Sequence, residues 1–168
     1  MNSLSNPFQD VLITTVDDGP FFIDDLFQRK FAHPAPSHGY SVVCFYRKNW
    51  QHFIPVCYVN FMQYDEVMLG GGAVTDAFAF RNMPLGLIRD VKMAGGIYLH
   101  MLKFSIHQFR DQCEGYFGYT ADKLALEVDK KAGFKPTKYE HLIVHFHKPL
   151  APERQEFLID KAHAVGPF

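Results

Sequence analysis

Residues 93–139 constrain the fold most strongly, because helical and strand patterns alternate along them in a definite order. Gly95 and Gly96 open a run of apolar residues at helical spacing. These apolar residues are Ile97, Met101, Leu102, Phe104, Ile106 and Phe109. A short aromatic strand follows, and then a second helix from Thr120 with Asp122 in its first turn, which stops at Gly133. The start of another strand comes next, so the order indicates a mixed α/β fold.

The rest of the chain adds strands and helices on both sides of this segment. Strands are predicted at residues 11–16, 40–46, 53–62, 66–76 and 139–146, and helices at residues 21–31 and 153–165. Residues 77–92 fit neither period, and Pro84 and Gly86 predict a loop with a short helical piece. No repeat, low-complexity tract or linker divides the sequence, so we expect one α/β (α+β) domain over residues 1–168.

Composition excludes several classes of function. The 168 residues carry 17 basic and 18 acidic side chains, and a net charge of −1 creates no global attraction for nucleic acid or anionic membranes. No run of about 18 apolar residues occurs, so no membrane span is expected. The three cysteines are an odd, scattered set, which is typical of a reducing compartment. The first residues lack the pattern of a signal peptide, and the sequence therefore predicts a cytoplasmic protein.

Two motifs, LALEVDKKAGF (residues 124–134) and GGGAVTD (residues 70–76), resemble motifs of the GCN5-related N-acetyltransferase (GNAT) superfamily. The first is similar to the family's recurrent helix that ends in Gly-Phe, and the second is similar to its fourth strand. The resemblance implies an acyl-CoA N-acyltransferase-like mixed sheet flanked by helices. It also implies that the fourth strand splays from its neighbour, and that Ala73, Val74 and Thr75 contact the pantetheine arm of acetyl-CoA or another acyl-CoA.

The family's pyrophosphate loop is only partly present. The resemblance implies that Ala94, Gly95 and Gly96 form the backbone cradle at the start of the helix, and that Arg89 or Lys92 adds positive charge. Helix N-termini attract anions, and bare glycines let an anion approach closely. A plain close contact between helix and strand would also explain the glycines. The connection before this helix is about a dozen residues longer than the family pattern, which is compatible with a substrate lid.

N-acylation of an amine requires a base, an oxyanion donor and an acid for the leaving thiolate. An N–H of the fourth strand is the natural oxyanion donor, and Glu66 on that strand is the candidate base. The family often places a tyrosine four residues before the Gly of Gly-Phe, and Asp129 occupies that position here. Asp129 is one candidate acid, Tyr119 is another, and Tyr116 lies close in sequence. The alternatives are an exposed helix carboxylate for Asp129, a core aromatic for Tyr119 and a solvent-facing charge for Glu66.

The histidines carry weaker signals. His145 and His147 share a strand face, but no HExxH or CxxC pattern completes a metal site, so no metal is expected. His33 and His38 flank a Pro-rich loop that, in the family, often borders the acceptor site. Phe78 and Phe80 are candidates for an apolar acceptor pocket.

The sequence thus predicts an acyl-CoA-dependent N-acyltransferase that acts on an amine. Two alternatives stay open: a binding or assembly module with a degenerate CoA site, and a transferase of this fold that uses a different donor. The lengthened connection and the missing tyrosine motivate the first alternative, and the lengthened connection motivates the second. A homodimer is compatible with the sequence.

Overall fold

The computed structural model describes residues 9–168, which form one mixed sheet of seven strands with helices on both faces. The strands are β1 (Val11–Val16), β2 (Tyr40–Asn49), β3 (His52–Tyr64), β4 (Val67–Thr75), β5 (Gly115–Tyr119), β6 (Lys135–Pro136) and β7 (Leu142–His145). The helices are α1 (Gly19–Phe31), α2 (Ala77–Arg81), α3 (Leu85–Met93), α4 (Ile97–Phe109), α5 (Lys123–Lys131) and α6 (Pro152–Val165). The strand order is β1-β2-β3-β4-β5-β7-β6. None of these helices is long and apolar enough to cross a membrane.

Strands β4 and β5 form the only parallel pair in the described sheet, and they stay together briefly. Val67, Met68 and Leu69 pair with Gly115, Tyr116 and Phe117, and the register ends there. β4 continues to Thr75 beside β3, while β5 pairs on its other side with β7. The two strands therefore separate in the middle of the sheet, as the resemblance implied.

The core divides differently on the two faces of the sheet. On one face, helices α2 to α5 cover a continuous cluster that includes Cys44, Val59 and Tyr116. Because side chains alternate along a strand, the residues next to these in the strands point to the other face of the sheet. There α1 packs on Val43 and Tyr58, and α6 packs separately on Phe117, Leu69 and Val144. The gap between these two clusters follows the separation of β4 and β5.

Residues 77–92 differ from the loop that the sequence predicted. They form two helices, α2 and α3, and the Asp76 carboxylate caps α2 by accepting hydrogen bonds from the N–H groups of Phe78 and Ala79. Helix α3 buries Val91 completely and packs Leu87 partly into the core. The pattern was hidden because each helix is short and buries only a narrow strip of side chains.

Candidate active site

A cavity of about 360 Å³ occupies the separation of β4 and β5. Lys30 and Phe31, at the end of α1, line it from one face of the sheet. Tyr98 of α4 and Asp129 of α5 line it from the other face. The cavity is therefore bordered by elements on both faces, and none of residues 77–92 lines it.

The edge of β4 that faces the cavity has free backbone groups. Asp76 N–H donates to Val56 O across the β3–β4 ladder at 2.8 Å. Backbone groups alternate in direction along a strand. The N–H and C=O groups of Val74 therefore also point towards β3, whereas those of Ala73 and Thr75 point towards the side on which β4 and β5 separate. The structure thus separates the three predicted contact residues: the backbone groups of Ala73 and Thr75 turn away from β3, Ala73 lines the cavity, and the backbone of Val74 is used by the sheet.

A β-bulge sits where β4 leaves β5. Asn60 pairs with Gly72 and Phe61 pairs with Gly70, so Gly71 is the extra residue. A side chain at Gly71 would collide with the Asn60 amide, and one at Gly72 (φ +145°) would lie 2.8 Å from the Phe27 ring. The glycines are therefore required by close packing at the point where the strand changes direction.

The start of α4 presents free N–H groups, but they are not those of the two glycines. Gly95 N–H donates to Lys92 O (3.1 Å) and Gly96 N–H to Val91 O (2.9 Å), so both groups close the end of α3. Gly96 is the N-cap of α4 and makes no side-chain capping bond. The first-turn N–H groups of Ile97, Tyr98 and Leu99 have no partner within the helix. Such groups at a helix N-terminus favour a negative charge.

The predicted positive charges lie on α3, just before this turn. Arg89 pairs with the neighbouring Asp90 at 3.2 Å and is largely exposed. Lys92 lies in the last turn of α3, and Ala94 is the C-cap of that helix. Both side chains are therefore carried by the helix that ends at the start of α4.

Structural comparison identifies the architecture. No protein-family model and no curated protein sequence matches the chain. Among solved structures, the ribosomal-protein-S18-alanine N-acetyltransferase of Escherichia coli superposes with a TM-score of 0.56 at 10% identity, covering 84% of this chain and 97% of that one. The ribosomal-protein-S5-alanine acetyltransferase of Vibrio fischeri gives a TM-score of 0.55 at 12% identity, covering 89% and 100%. A GNAT family acetyltransferase of Staphylococcus aureus gives a TM-score of 0.51 at 14% identity, covering 82% and 100%. The chain has the GNAT fold.

The carboxyl group that replaces the tyrosine of the GNAT pattern is buried in the cavity wall. Asp129 is 3% exposed, and Tyr98 Oη donates a hydrogen bond to its Oδ1 at 2.9 Å. Burial raises the pKa of Asp129 to about 6, although the Tyr98 bond acts in the opposite direction. The alternative of an exposed helix carboxylate at this position does not hold, because α5 turns this residue towards α4.

Sequence reasoning missed Tyr98. Burial, and then the neighbouring Asp129 carboxylate, raise the pKa of Tyr98 well above the ordinary tyrosine value. Its position two residues after Gly96 was the available signal, since the second residue of a helix lies beside whatever the helix N-terminus binds. Only the packing of α4 on α5 shows that it meets Asp129.

The other two tyrosines have different environments. Tyr119 lines the cavity at the end of β5, and its hydroxyl lies 3.2 Å from His163 Nδ1. Tyr116 is fully buried and donates to Ile106 O at 2.9 Å. The role of Tyr119 as an acid therefore stays a prediction, whereas the Tyr116 hydroxyl is used by a hydrogen bond in the core.

Glu66 lies away from the cavity, just before β4. Its carboxylate accepts hydrogen bonds from Arg154 (2.9 Å) and Lys161 (2.7 Å), both on α6. The Lys161 bond is the main cause that lowers the pKa of Glu66. The geometry does not bring Glu66 to the other candidate residues, and its role as a base stays a prediction.

The two strand-face histidines join β7 to the ends of helices. The ring of His145 bonds through Nδ1 to Gly133 O at 3.0 Å, and that of His147 bonds through Nε2 to Arg110 O at 2.8 Å. Burial lowers the pKa of His147. Within residues 9–168, no group of three potential ligands (His, Cys, Asp or Glu) comes together. Both rings thus bond to backbone carbonyl groups that follow helices.

Proposed function

We propose that this protein is an acyl-CoA-dependent N-acyltransferase that transfers an acetyl or other acyl group to an amine. One observation carries the proposal: β4 and β5 run parallel for three residue pairs and then separate, so that the free edge of β4 faces a cavity bordered from both faces of the sheet. An extended chain with amide groups, such as pantetheine, can replace the missing strand partner along such an edge.

The donor enters from the side of α4 and α5. Its pantetheine amides pair with the free backbone groups of Ala73 and Thr75, and its pyrophosphate lies at the N–H groups that open α4. Arg89 and Lys92 add positive charge near this end. Gly96 leaves the approach open, since a side chain there would meet no atom within 4 Å.

The acceptor enters from the side of α1. Its amine must be uncharged to attack the thioester carbon, and the carbonyl oxygen then gains negative charge. The N–H of Ala73 points into the separation and is our candidate to stabilise that oxygen. A base or a chain of water molecules takes the proton that the amine releases.

The two alternative functions receive less support. A binding or assembly module with a degenerate site would be favoured by residues 77–92 filling the groove, but these residues do not line the cavity. A different donor would be favoured by a closed α4 N-terminus, but Gly96 leaves it without a side-chain cap. We further propose a reducing, cytoplasmic location, which the three free thiols support. The homodimer stays a prediction.

The proposal is tested by calorimetry and by thermal denaturation with acetyl-CoA and longer acyl-CoAs. A ligand at 100 times its Kd adds about 2.7 kcal/mol to the free energy of unfolding, so a clear rise in Tm is expected. Mass spectrometry of a panel of amines incubated with the binding acyl-CoA then detects the acylated product. If no acyl-CoA binds at millimolar concentration and no amine is acylated, the proposed function is wrong.

A further inference from the structure

Tyr98 and Asp129 form a polar pair that joins α4 to α5 inside the cavity. Their hydrogen bond is 2.9 Å long, and both side chains line the half of the cavity that we assign to the donor. Within the described residues, no lysine, arginine or histidine forms an ion pair with Asp129. The carboxyl group therefore has a hydroxyl partner and no compensating positive charge.

An arrangement of this kind lowers stability, and a role in the site would account for its presence. A buried carboxylate without a cation is costly, and an apolar pair of similar volume would pack between α4 and α5 without that cost. Of the groups around the pair, Asp122, at the start of α5, raises the pKa of Asp129 further, and Cys57 of β3 raises that of Tyr98. Lys30 of α1 lines the same cavity from the other face of the sheet. The pair is thus suited to hold a proton near neutral pH.

We propose that Tyr98 protonates the departing thiolate of the acyl donor and that Asp129 supplies the replacement proton. This inference rests on the proposed function, because the thiolate exists only if an acyl-CoA reacts in the cavity. It assigns the acid to α4, whereas the resemblance placed it on α5, where Asp129 now stands.

The proton transfer balances in three steps. Before reaction, the Asp129 carboxylic acid donates its O–H to Tyr98 Oη, which leaves the Tyr98 O–H free to point at the donor sulfur. When the tetrahedral intermediate collapses, the C–S bond breaks, its electron pair goes to sulfur, sulfur takes the Tyr98 proton, and Tyr98 takes the Asp129 proton. The product state has an Asp129 carboxylate that accepts from Tyr98, which is the hydrogen bond observed. Asp129 then regains a proton from solvent, and this balances the proton that the amine releases.

The test compares Tyr98→Phe with Tyr139→Phe. Tyr139 is the matched control, because its hydroxyl also donates to a carboxylate at 2.9 Å, that of Asp160, but the pair is exposed and lies outside the cavity. General acids typically contribute about 10² to 10⁴ in rate, so Tyr98→Phe is expected to lower kcat by about 100-fold or more. Tyr139→Phe is expected to leave kcat unchanged, and calorimetry is expected to give both variants the wild-type Kd for acetyl-CoA.

A pH profile separates the relay from a purely structural role. With a weakly basic aromatic amine as acceptor, which stays neutral, the wild-type kcat is expected to fall as pH rises through the range in which Asp129 loses its proton. Asp129→Asn mimics the protonated state, since its amide N–H can donate to Tyr98 Oη. This variant is therefore expected to lose that falling limb while it keeps a measurable rate.

Each result decides one of the two proposals. A Tyr98→Phe variant with wild-type kcat, or an Asp129→Asn variant that keeps the falling limb, overturns the relay while the transferase proposal stands. A loss confined to Tyr119→Phe also overturns it and moves the acid to β5. A wild-type protein that neither binds nor consumes any acyl-CoA overturns the proposed function and the relay together.

Discussion

Asp129 illustrates how burial changes the meaning of a single residue. In the sequence it stands among Glu127, Lys130 and Lys131 and has the pattern of a solvated helix surface. In the structure it is 3% exposed and bonded to Tyr98. The helix period alone cannot distinguish the two cases, because the buried side of α5 is set by where α4 lies.

Replacing Asp129 by Asn is expected to stabilise the protein above about pH 6. The pKa rises from the ordinary 3.8 to about 6 on folding, so the folded state binds the proton more tightly than the unfolded state does. The contribution of Asp129 to the free energy of unfolding therefore declines as pH rises from about 4 to about 6, by at most about 3 kcal/mol. Asp129→Asn removes this decline, and thermal denaturation at pH 4 and pH 8 measures it. A variant that is no more stable than wild type at pH 8 would contradict the assignment.

The glycines of β4 show how a whole strand is directed by a few positions. The bulge at Gly71 turns the strand away from β5, and the bare backbone lets the Phe27 ring and the Asn60 amide pack against it. The sequence indicated a bulge or a ligand contact from the three glycines. It did not show which residues press against them, since Phe27 and Asn60 come from other elements.

Gly72→Ala is expected to lower both stability and acyl-CoA affinity. A Cβ would lie 2.8 Å from Phe27 Cζ, and φ of +145° is strained for a residue with a side chain. The expected loss in the free energy of unfolding is about 1–3 kcal/mol. Gly86→Ala in α3 is the control: no atom lies within 4 Å of its Cβ, and alanine favours a helix by about 0.5–1 kcal/mol. Denaturant titration compares the two, and equal effects would contradict the packing argument.

Gly96→Ala tests the start of α4 as an anion site. Gly96 has φ of +89° with open space around it, so alanine acts through backbone strain and shifts the first turn of the helix. The acetyl-CoA Kd is expected to rise about tenfold, which corresponds to about 1.4 kcal/mol. Gly166→Ala has nearly the same φ (+88°) and the same open space at the end of α6, and should leave Kd unchanged. Calorimetry gives both values, and an unaltered Kd in Gly96→Ala would argue against a pyrophosphate at this helix.

At the scale of the whole molecule, α6 is held to the central strands by charged side chains. Arg154 bridges Glu66 and Glu114, which lie at the entries to β4 and β5, and Lys161 bridges Glu66 and Asp65. The bonds to Lys161 and Arg154 lower the pKa values of Glu66 and Glu114. This network fixes the end of the sheet at which β4 and β5 still pair.

Glu66→Gln is expected to destabilise the protein by about 1–2 kcal/mol, because charge-assisted hydrogen bonds to two cations are lost. The pKa of Glu66 is lowered on folding, so its contribution is present at neutral pH and is lost as pH falls. The difference in Tm should therefore shrink in acid and at high salt. Glu127→Gln, in an exposed pair within α5, should change stability by less than about 0.5 kcal/mol. A fall in kcat far beyond the effect on stability would instead support Glu66 as the base.

The sequence by itself determined the elements and their order around the site. The helix that opens after Gly96, the strand with three glycines and the helix that ends at Gly133-Phe134 were all predicted, because period, capping and glycine conformation act over a few neighbouring residues. Only the tertiary structure decided which backbone groups are free and which side chains meet. The N–H groups of Gly95 and Gly96 are used by α3, the backbone of Val74 is used by β3, and Tyr98 meets Asp129 from 31 positions away. The physical reason is that a hydrogen bond or a buried contact joins residues close in space, and sequence patterns record only what is close along the chain.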